Sequence, residues 1–324
     1  MSTSDFSSLG LQAGLLKNLS TLGYEQMTPI QALSLPLILE GKDMIGQGKT
    51  GSGKTAAFGL GLLHKLNVKS YKIQSIVLCP TRELADQVAS EIRKLARAIH
   101  NIKILTLCGG APFGPQIGSL EHGAHIVVGT PGRIEEHLRK KTLKLDHVEM
   151  LVLDEADRML DMGFLPDIRK IYSMTPKNRQ SMLFSATLPD DILRLTKDFL
   201  SDPVRVSVNP PASTVEKIDQ RVLFVDRENK GALLESVLQD EDIDKVLVFA
   251  RTKHGANRVV ERLSQQGLLA AAIHGNKSQG ARTRALQGFK DGSVRVLVAT
   301  DIAARGIDIQ QLPHVVNLDL PNVA

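Results

Sequence analysis

Tryptophan is absent from the 324-residue chain, tyrosine occurs three times, and aromatic residues make up only 4%. So few rings argue against a surface that holds nucleic acid by stacking successive bases, leaving sugar and phosphate as the groups to be contacted. Cysteine is almost as scarce. Cys79 and Cys108 lie in apolar or glycine-flanked sequence without a close-spaced partner, which excludes a disulfide framework and points to two buried thiols in a reducing, cytoplasmic setting. The nine histidines are scattered, and the nearest pair, His122 and His125, has no Cys or carboxylate set at zinc-site spacing, so no transition-metal site is expected. No run approaches the roughly 18 apolar residues that span a bilayer, and Met1-Ser2-Thr3-Ser4-Asp5 has neither a basic nor an apolar region, so membrane insertion and secretion are not expected. Charge is mildly one-sided: 40 basic against 35 acidic residues give +5 and a pI near 9.1, which permits a nucleic-acid partner without requiring one.

What the chain does contain is a phosphate-binding pattern. Gly48-Lys49-Thr50-Gly51-Ser52-Gly53-Lys54-Thr55 places small residues where backbone N–H groups must close around phosphates. Lys54 is spaced to reach the outer phosphates, and the Thr55 hydroxyl to face magnesium. Asp43-Met44-Ile45 reads as the strand entering the loop, and Thr55 to Leu66 as the helix whose positive N-terminus faces the anion. Further on, Met150-Leu151-Val152-Leu153 is the continuous apolar run of a strand buried on both faces, delivering Asp154 and Glu155 to its C-terminal end, where α/β sheets bind ligands. Asp154 is the expected magnesium residue, partly through water, and Glu155 the expected group that orients or deprotonates the attacking water.

Strand-like runs alternate with helical patterns through residue 200: Ser75 to Cys79, Ile102 to Leu107, His125 to Val128, Met150 to Leu153 and Gln180 to Ser185. The rhythm breaks at Asp202-Pro203 and at Asn209-Pro210-Pro211-Ala212-Ser213-Thr214, where adjacent prolines cannot form an interior element. It resumes with Arg221 to Val225, Lys245 to Ala250, Leu269 to Ile273, Val294 to Thr300 and His314 to Leu318. The expected architecture is α/β with two parallel-sheet domains: residues 1–208 carrying the nucleotide site, a linker at 209–217, and residues 218–324. The basic run Arg139-Lys140-Lys141 reads as a solvated helix end.

The tetrad Asp154-Glu155-Ala156-Asp157, with the phosphate loop, resembles the DEAD-box RNA helicases, especially bacterial members linked to ribosome assembly, and the resemblance covers essentially the whole chain. It implies two RecA-like domains that ATP and RNA together close. Gly23-Tyr24, Thr28-Pro29-Ile30-Gln31 and Phe6 match the family's adenine-recognition element, with Gln31 on the adenine edge and Phe6 against the ring. An amide suits that task because it offers a donor and an acceptor together. Pro80-Thr81-Arg82-Glu83-Leu84-Ala85, Gly109-Gly110 and Thr130-Pro131-Gly132-Arg133 match its RNA-backbone contacts, implicating Thr81, Arg82, Gly110, Thr130 and Arg133, although Thr81 and Thr130 also read as helix caps. Ser185-Ala186-Thr187 matches the motif that couples Asp157 to RNA-dependent closure. In the second domain Arg251, Arg282 and Thr300 are implied RNA contacts and Asp308 an ATP-ribose contact, while Arg305 admits a structural or a functional role.

Two departures from the family pattern stand out. Gly46 and Gly48 occupy positions where many members carry alanine. The sequence also stops at Ala324, before the family's His-Arg-x-Gly-Arg-x-x-Arg segment, so the second domain reads as incomplete at its C-terminus. The resulting expectation is an RNA-stimulated ATP hydrolase, using ATP and magnesium, that unwinds short RNA duplexes or remodels ribonucleoprotein as a monomer, with ribosomal RNA a candidate partner. An ATP-gated RNA clamp with little turnover and a DNA-directed motor of the same superfamily are the competing readings.

Overall fold

In the computed structural model the described residues are 5–208, 219–240, 243–304, 309 and 312–320, the side chains of Ile302 and Ala304 excepted. The chain divides into two compact units, Met1–Thr214 and Val215–Ala324. The first contains strands β1 (Met44–Gln47), β2 (Ser75–Leu78), β3 (Ile104–Leu107), β4 (Ile126–Gly129), β5 (Met150–Leu153), β6 (Gln180–Ser185) and β7 (Val204–Ser207). They form one parallel sheet in the order β3-β4-β2-β5-β6-β1-β7.

Both faces of this sheet are covered, which is why its central strands read as unbroken apolar runs. Alternate residues of the same strands enter different cores. Val77, Val128, Val152 and Phe184 pack with Ile38, Phe58 and Ile92 from the helices Pro29–Glu40, Lys54–Lys65 and Arg82–Leu95. Ile76, Val127, Leu151 and Leu183 pack with Ile134, Ile171 and Leu195 from the helices Pro131–Arg139, Leu165–Ser173 and Asp190–Phe199. The period of two along each strand thus feeds two hydrophobic layers. Cys79 and Cys108 are both buried thiols, and burial raises Cys108 to about 12.

The second unit contains β8 (Val246–Phe249), β9 (Ala270–Ile273), β10 (Val296–Ala299) and β11 (His314–Asn317), parallel in the order β11-β8-β10-β9. The same two-faced packing recurs on a smaller scale, with Val248 and Val298 in one cluster and Leu247 and Leu297 in the other.

Two sequence expectations differ from the fold. Asp202-Pro203 does not end the first sheet: Asp202 takes a left-handed conformation (φ 44°), and the chain then adds β7 beside β1, with Val204 paired to Met44 and Val206 to Gly46. Proline sits just before the strand, where its missing N–H removes no ladder bond. Conversely, Arg221 to Val225 forms no strand; Val222, Leu223 and Phe224 are 76%, 57% and 96% exposed. A strand requires a partner edge as well as an apolar composition, and no described strand pairs with this segment. The expected linker at 209–217 lies outside the described residues.

Candidate functional site

Six of the first unit's motifs emerge from the C-terminal ends of its parallel strands, while Phe6, Gly23-Tyr24 and Thr28–Gln31 precede the first strand. The phosphate loop follows β1, Ala186-Thr187 follows β6, Asp154-Glu155 follows β5, Thr81-Arg82 follows β2, Thr130 follows β4, and Gly109-Gly110 follows β3. Strand order therefore sorts them. Loop, Asp-Glu pair and coupling tripeptide lie on β1-β6-β5, and the three remaining motifs on β2-β4-β3.

Gly53 caps the helix Lys54–Lys65 in the left-handed region (φ 96°), a conformation glycine adopts without the Cβ penalty. Lys54 is 6% exposed, and its ammonium donates to the Gly48 carbonyl inside the loop. Ser52 Oγ closes the loop on the Lys49 carbonyl at 2.8 Å. Thr28 and Gln31 grip it from outside: Thr28 Oγ1 donates to Ser52 O at 2.8 Å and Gln31 Nε2 to Gly53 O at 3.1 Å, while Gln31 Oε1 accepts from the Thr28 N–H at 2.9 Å. Gln31 is thus a capping-box residue, buried to 1% exposure, and both ends of its amide bind the protein itself. Phe6 is likewise buried and meets Tyr24 edge-on at 6.2 Å.

Asp154 and Glu155 are 3% and 5% exposed. Burial pushes the Asp154 carboxyl up to about 7; nearby Lys54 opposes that rise and the neighbouring Glu155 charge adds to it. Glu155 occupies the left-handed region (φ 52°, ψ 53°), a conformation costing a non-glycine residue on the order of 1–3 kcal/mol unless its surroundings hold it. Here they do: Glu155 Oε1 accepts from Thr50 Oγ1 at 3.1 Å and Oε2 from Arg158 Nη1 at 2.8 Å. The pair Thr55 and Asp154 offers oxygen donors only, and a buried carboxylate whose charge is disfavoured by desolvation is a fitting ligand for a hard divalent cation such as magnesium.

Asp157 joins β5's loop to β6's. Its Oδ2 accepts from the Thr187 N–H at 2.9 Å and from Thr187 Oγ1 at 2.7 Å, and its own N–H donates to Ser185 Oγ at 3.2 Å. Burial raises the Asp157 carboxyl, but the combined bonds from Thr187 and Ser185 outweigh it and hold the group below the usual range.

On the other half of the edge, Thr81 Oγ1 caps the helix Arg82–Leu95 by accepting from Leu84 N–H at 3.3 Å. Thr130 precedes the helix Pro131–Arg139 and donates its N–H to Leu107 O at 3.2 Å. Arg82 lies against Gly109 and Gly110. Arg133 turns inward, to Ala111 O at 3.1 Å and Gln116 Oε1 at 2.9 Å. At the expected solvated helix end, Lys140 bridges Glu136 at 2.8 Å.

In the second unit Arg251 donates its N–H to Asp319 Oδ2 at 3.1 Å and its guanidinium to Leu320 O at 3.4 Å. Arg282 reaches Ala303 O at 3.5 Å, and the Thr300 N–H donates to Ile273 O at 3.3 Å. Asp308 and Arg305 lie outside the described residues. Sequence reasoning missed Thr28 as a holder of the loop, Arg158 as Glu155's partner and Gln116 altogether. For Arg158 a signal existed, because residues three apart share a helix face.

A phosphate loop after one strand, an Asp-Glu pair two strands away in the same parallel sheet, and a second parallel α/β unit define a P-loop nucleotide hydrolase built from RecA-like units. The family described as DEAD/DEAH box helicase matches residues 28–195, and the helicase conserved C-terminal domain matches residues 229–323. The chain is 45% identical over 316 residues to the DEAD-box ATP-dependent RNA helicase CshA of Geobacillus kaustophilus, covering 98% of this chain and 68% of that protein. It is 48% identical over 316 residues to the ATP-dependent RNA helicase DbpA of Escherichia coli, covering 97% and 69%. With CshA of Listeria monocytogenes the identity is 45%, and this chain spans 61% of that protein's length. Among solved structures, Saccharomyces cerevisiae Dbp5 bound to RNA and ADP BeF3 superposes with a TM-score of 0.85 at 29% identity, covering 99% of this chain and 82% of that one. A DEAD box protein from Methanococcus jannaschii gives 0.61 at 39% identity, covering 98% and 86%. The chain belongs to the DEAD-box ATP-dependent RNA helicase family, an enzyme class that couples ATP hydrolysis to work on RNA.

Proposed function

We propose that this chain hydrolyses ATP in response to single-stranded or short duplex RNA and uses the cycle to open duplexes locally or remodel ribonucleoprotein. The observation that carries the reading is strand order, which brings the phosphate loop, Asp154-Glu155 and Ser185-Ala186-Thr187 onto β1-β6-β5 and Thr81-Arg82, Gly109-Gly110 and Thr130–Arg133 onto β2-β4-β3. Such donors suit phosphate and 2′-hydroxyl recognition and leave base sequence unread.

ATP is the nucleotide in this proposal. Lys54 leaves the Gly48 carbonyl for the outer phosphates, and Gly51, Ser52 and Gly53 supply N–H groups around them. Thr55 and Asp154 would hold magnesium, which would supply positive charge against the charge developing on the phosphates. Glu155, fixed between Thr50 and Arg158, accepts a proton from the attacking water. Gln31 turns its amide to adenine and Phe6 lies near the ring. The Asp157–Thr187 bonds carry the state of the phosphate site to β6, and the second unit contributes Arg251, Arg282 and Thr300 to RNA and Asp308 to the ribose. Two units moving together around ligands belong to the known repertoire of such transitions. Action as a monomer in the cytoplasm, with ribosomal RNA as one partner, completes the proposal; among the described residues no helix is long and apolar enough to cross a membrane.

The deciding experiment is steady-state ATP hydrolysis by this chain with single-stranded RNA, with DNA of the same sequence, and with neither. Stimulation by RNA alone is the expected outcome. Equal stimulation by DNA would sink RNA specificity, since only RNA carries the 2′-hydroxyl. RNA retention without turnover would make the chain an ATP-gated clamp.

A further inference from the structure

Arg133 carries the arginine of the motif that follows β4, yet its side chain is only 10% exposed. Its guanidinium is engaged within the protein: Nη1 donates to Ala111 O at 3.1 Å and Gln116 Oε1 at 2.9 Å, and Nε pairs with Glu136 at 3.1 Å. A residue that neutralises an RNA phosphate has to present its charge to solvent. This one is matched by a carboxylate and aimed at a turn.

The turn is Gly109-Gly110-Ala111, directly after β3. Gln116, 8% exposed, holds its start by donating Nε2 to Cys108 O at 3.1 Å, and its Oε1 accepts from Arg133, which holds Ala111. His137 is fully buried and places Nε2 at 2.9 Å from the same Gln116 oxygen, with Nδ1 at 2.8 Å from Thr142 Oγ1. Gln116 Oε1 can only accept, so Nε2 is its donor, while the Thr142 hydroxyl beside Nδ1 also reaches His137 O at 3.2 Å. Phe113 stacks on the imidazole at 4.2 Å with an 18° tilt. Burial, reinforced by Arg133, drives the His137 ring down to about 4, against the smaller opposing pull of Glu136, so the hub stays neutral near pH 7. Over the turn's other side lies Arg82. A Cβ on Gly110, which has φ +78°, would fall 1.8 Å from Arg82 Nη1. Only glycine permits both that conformation and that approach.

We propose that Gln116, Arg133 and His137 form a brace that presents the backbone of Gly109-Gly110-Ala111 to RNA, and that Arg133 acts through this turn as a positioning residue, not as a phosphate ligand. The inference rests on the reading that this edge faces RNA. It differs from the role that motif resemblance implied for Arg133, and it adds two residues no motif contains. Backbone N–H groups contribute hydrogen bonds without displacing counterions, whereas each phosphate neutralised by an arginine adds about 0.7 to the salt slope on single strands.

The test measures binding of an oligouridine single strand, in the presence of a non-hydrolysable ATP analogue, across a series of KCl concentrations. Gln116→Leu and Arg133→Ala should each weaken binding about tenfold, the order of one lost buried hydrogen bond, with the salt slope unchanged. The double variant should be little worse than either single one. ATP affinity and melting temperature of Gln116→Leu separate a displaced turn from a misfolded chain. Amide hydrogen exchange across residues 105–116, measured without RNA, supplies a second readout: both variants should speed it. A slope reduced by about 0.7 in Arg133→Ala with Gln116→Leu unaffected would make Arg133 a phosphate ligand and overturn the brace. Unchanged exchange in both variants overturns it whatever RNA does. Wild-type chain that binds no RNA while both variants speed exchange would leave the brace standing and remove its RNA role together with the functional reading.

Discussion

The two units share an architecture but hold their functional residues differently. In the first, segments far apart in the chain are bonded to one another: Thr28 to Ser52, Thr50 to Glu155, Asp157 to Thr187, Gln116 to Arg133. Beneath them two apolar layers bury both faces of a seven-stranded sheet. In the second, a four-stranded sheet has smaller cores, Arg251 leans on Asp319 and Leu320 at the surface, and Lys230 holds Asp319 at 3.1 Å with both side chains about a third exposed. The lesson concerns preorganisation. Chemistry needs groups fixed before the substrate arrives, and the unit carrying the phosphate loop holds its motif residues with polar contacts between segments far apart in the chain.

Breaking the first unit's chemistry should give the largest effect. Glu155→Gln is expected to keep ATP binding while lowering turnover about 10²- to 10⁴-fold, read from binding and single-turnover assays; unchanged hydrolysis would remove Glu155 from its role. Next comes the contrast in packing. Phe184→Ala in the buried sheet should cost about 3–5 kcal/mol in denaturant unfolding of the first unit. Phe224→Ser, at 96% exposure in the second, should stay within about 0.5 kcal/mol, and a larger loss would mean that this segment is covered in solution.

The coupling bond is subtler. Thr187→Ala removes one hydroxyl from a carboxylate at an exposed position and should cost about 1 kcal/mol or less in stability, yet RNA-stimulated hydrolysis should fall more than RNA-free hydrolysis. Equal loss in both would deny the link between Asp157 and RNA. A further effect concerns pH. His137 has its folded value lowered to about 4 from an ordinary 6.5, so the unfolded chain takes up a proton that the folded chain resists. Its contribution to stability is full above 6.5 and lost as pH falls from 6.5 toward 4. The stability difference between wild type and His137→Gln should therefore change across that window and be flat above it.

Much of this was legible along the chain. Parallel strands buried on both faces read as near-continuous apolar runs, so Ser75–Leu78, Ile126–Gly129 and Met150–Leu153 announce themselves. The phosphate loop is equally local, because its glycines, lysine and threonine act within eight consecutive residues. Where partner edges matter, local reading failed in both directions: Val204–Ser207 is short and half-polar but finds β1, whereas Arg221 to Val225 is strand-like yet pairs with nothing described. Gln116 was invisible because its meaning lies in three partners, Cys108, Arg133 and His137, none of which it neighbours in a helix or strand pattern.

Sequence alone determined the phosphate-loop pattern, the two-unit organisation and the central apolar strands, since each follows from short-range spacing and composition. Tertiary structure decided the order β3-β4-β2-β5-β6-β1-β7, and with it the grouping of the phosphate loop with Asp154-Glu155 and Ser185-Ala186-Thr187, from which the Thr81, Gly109 and Thr130 segments separate it in sequence. It also decided which way Gln31 and Arg133 point. The physical reason is the same in each case: strand neighbours and buried polar partners are chosen by contacts between residues far apart in the chain, and those contacts exist only once the sheet has closed around them.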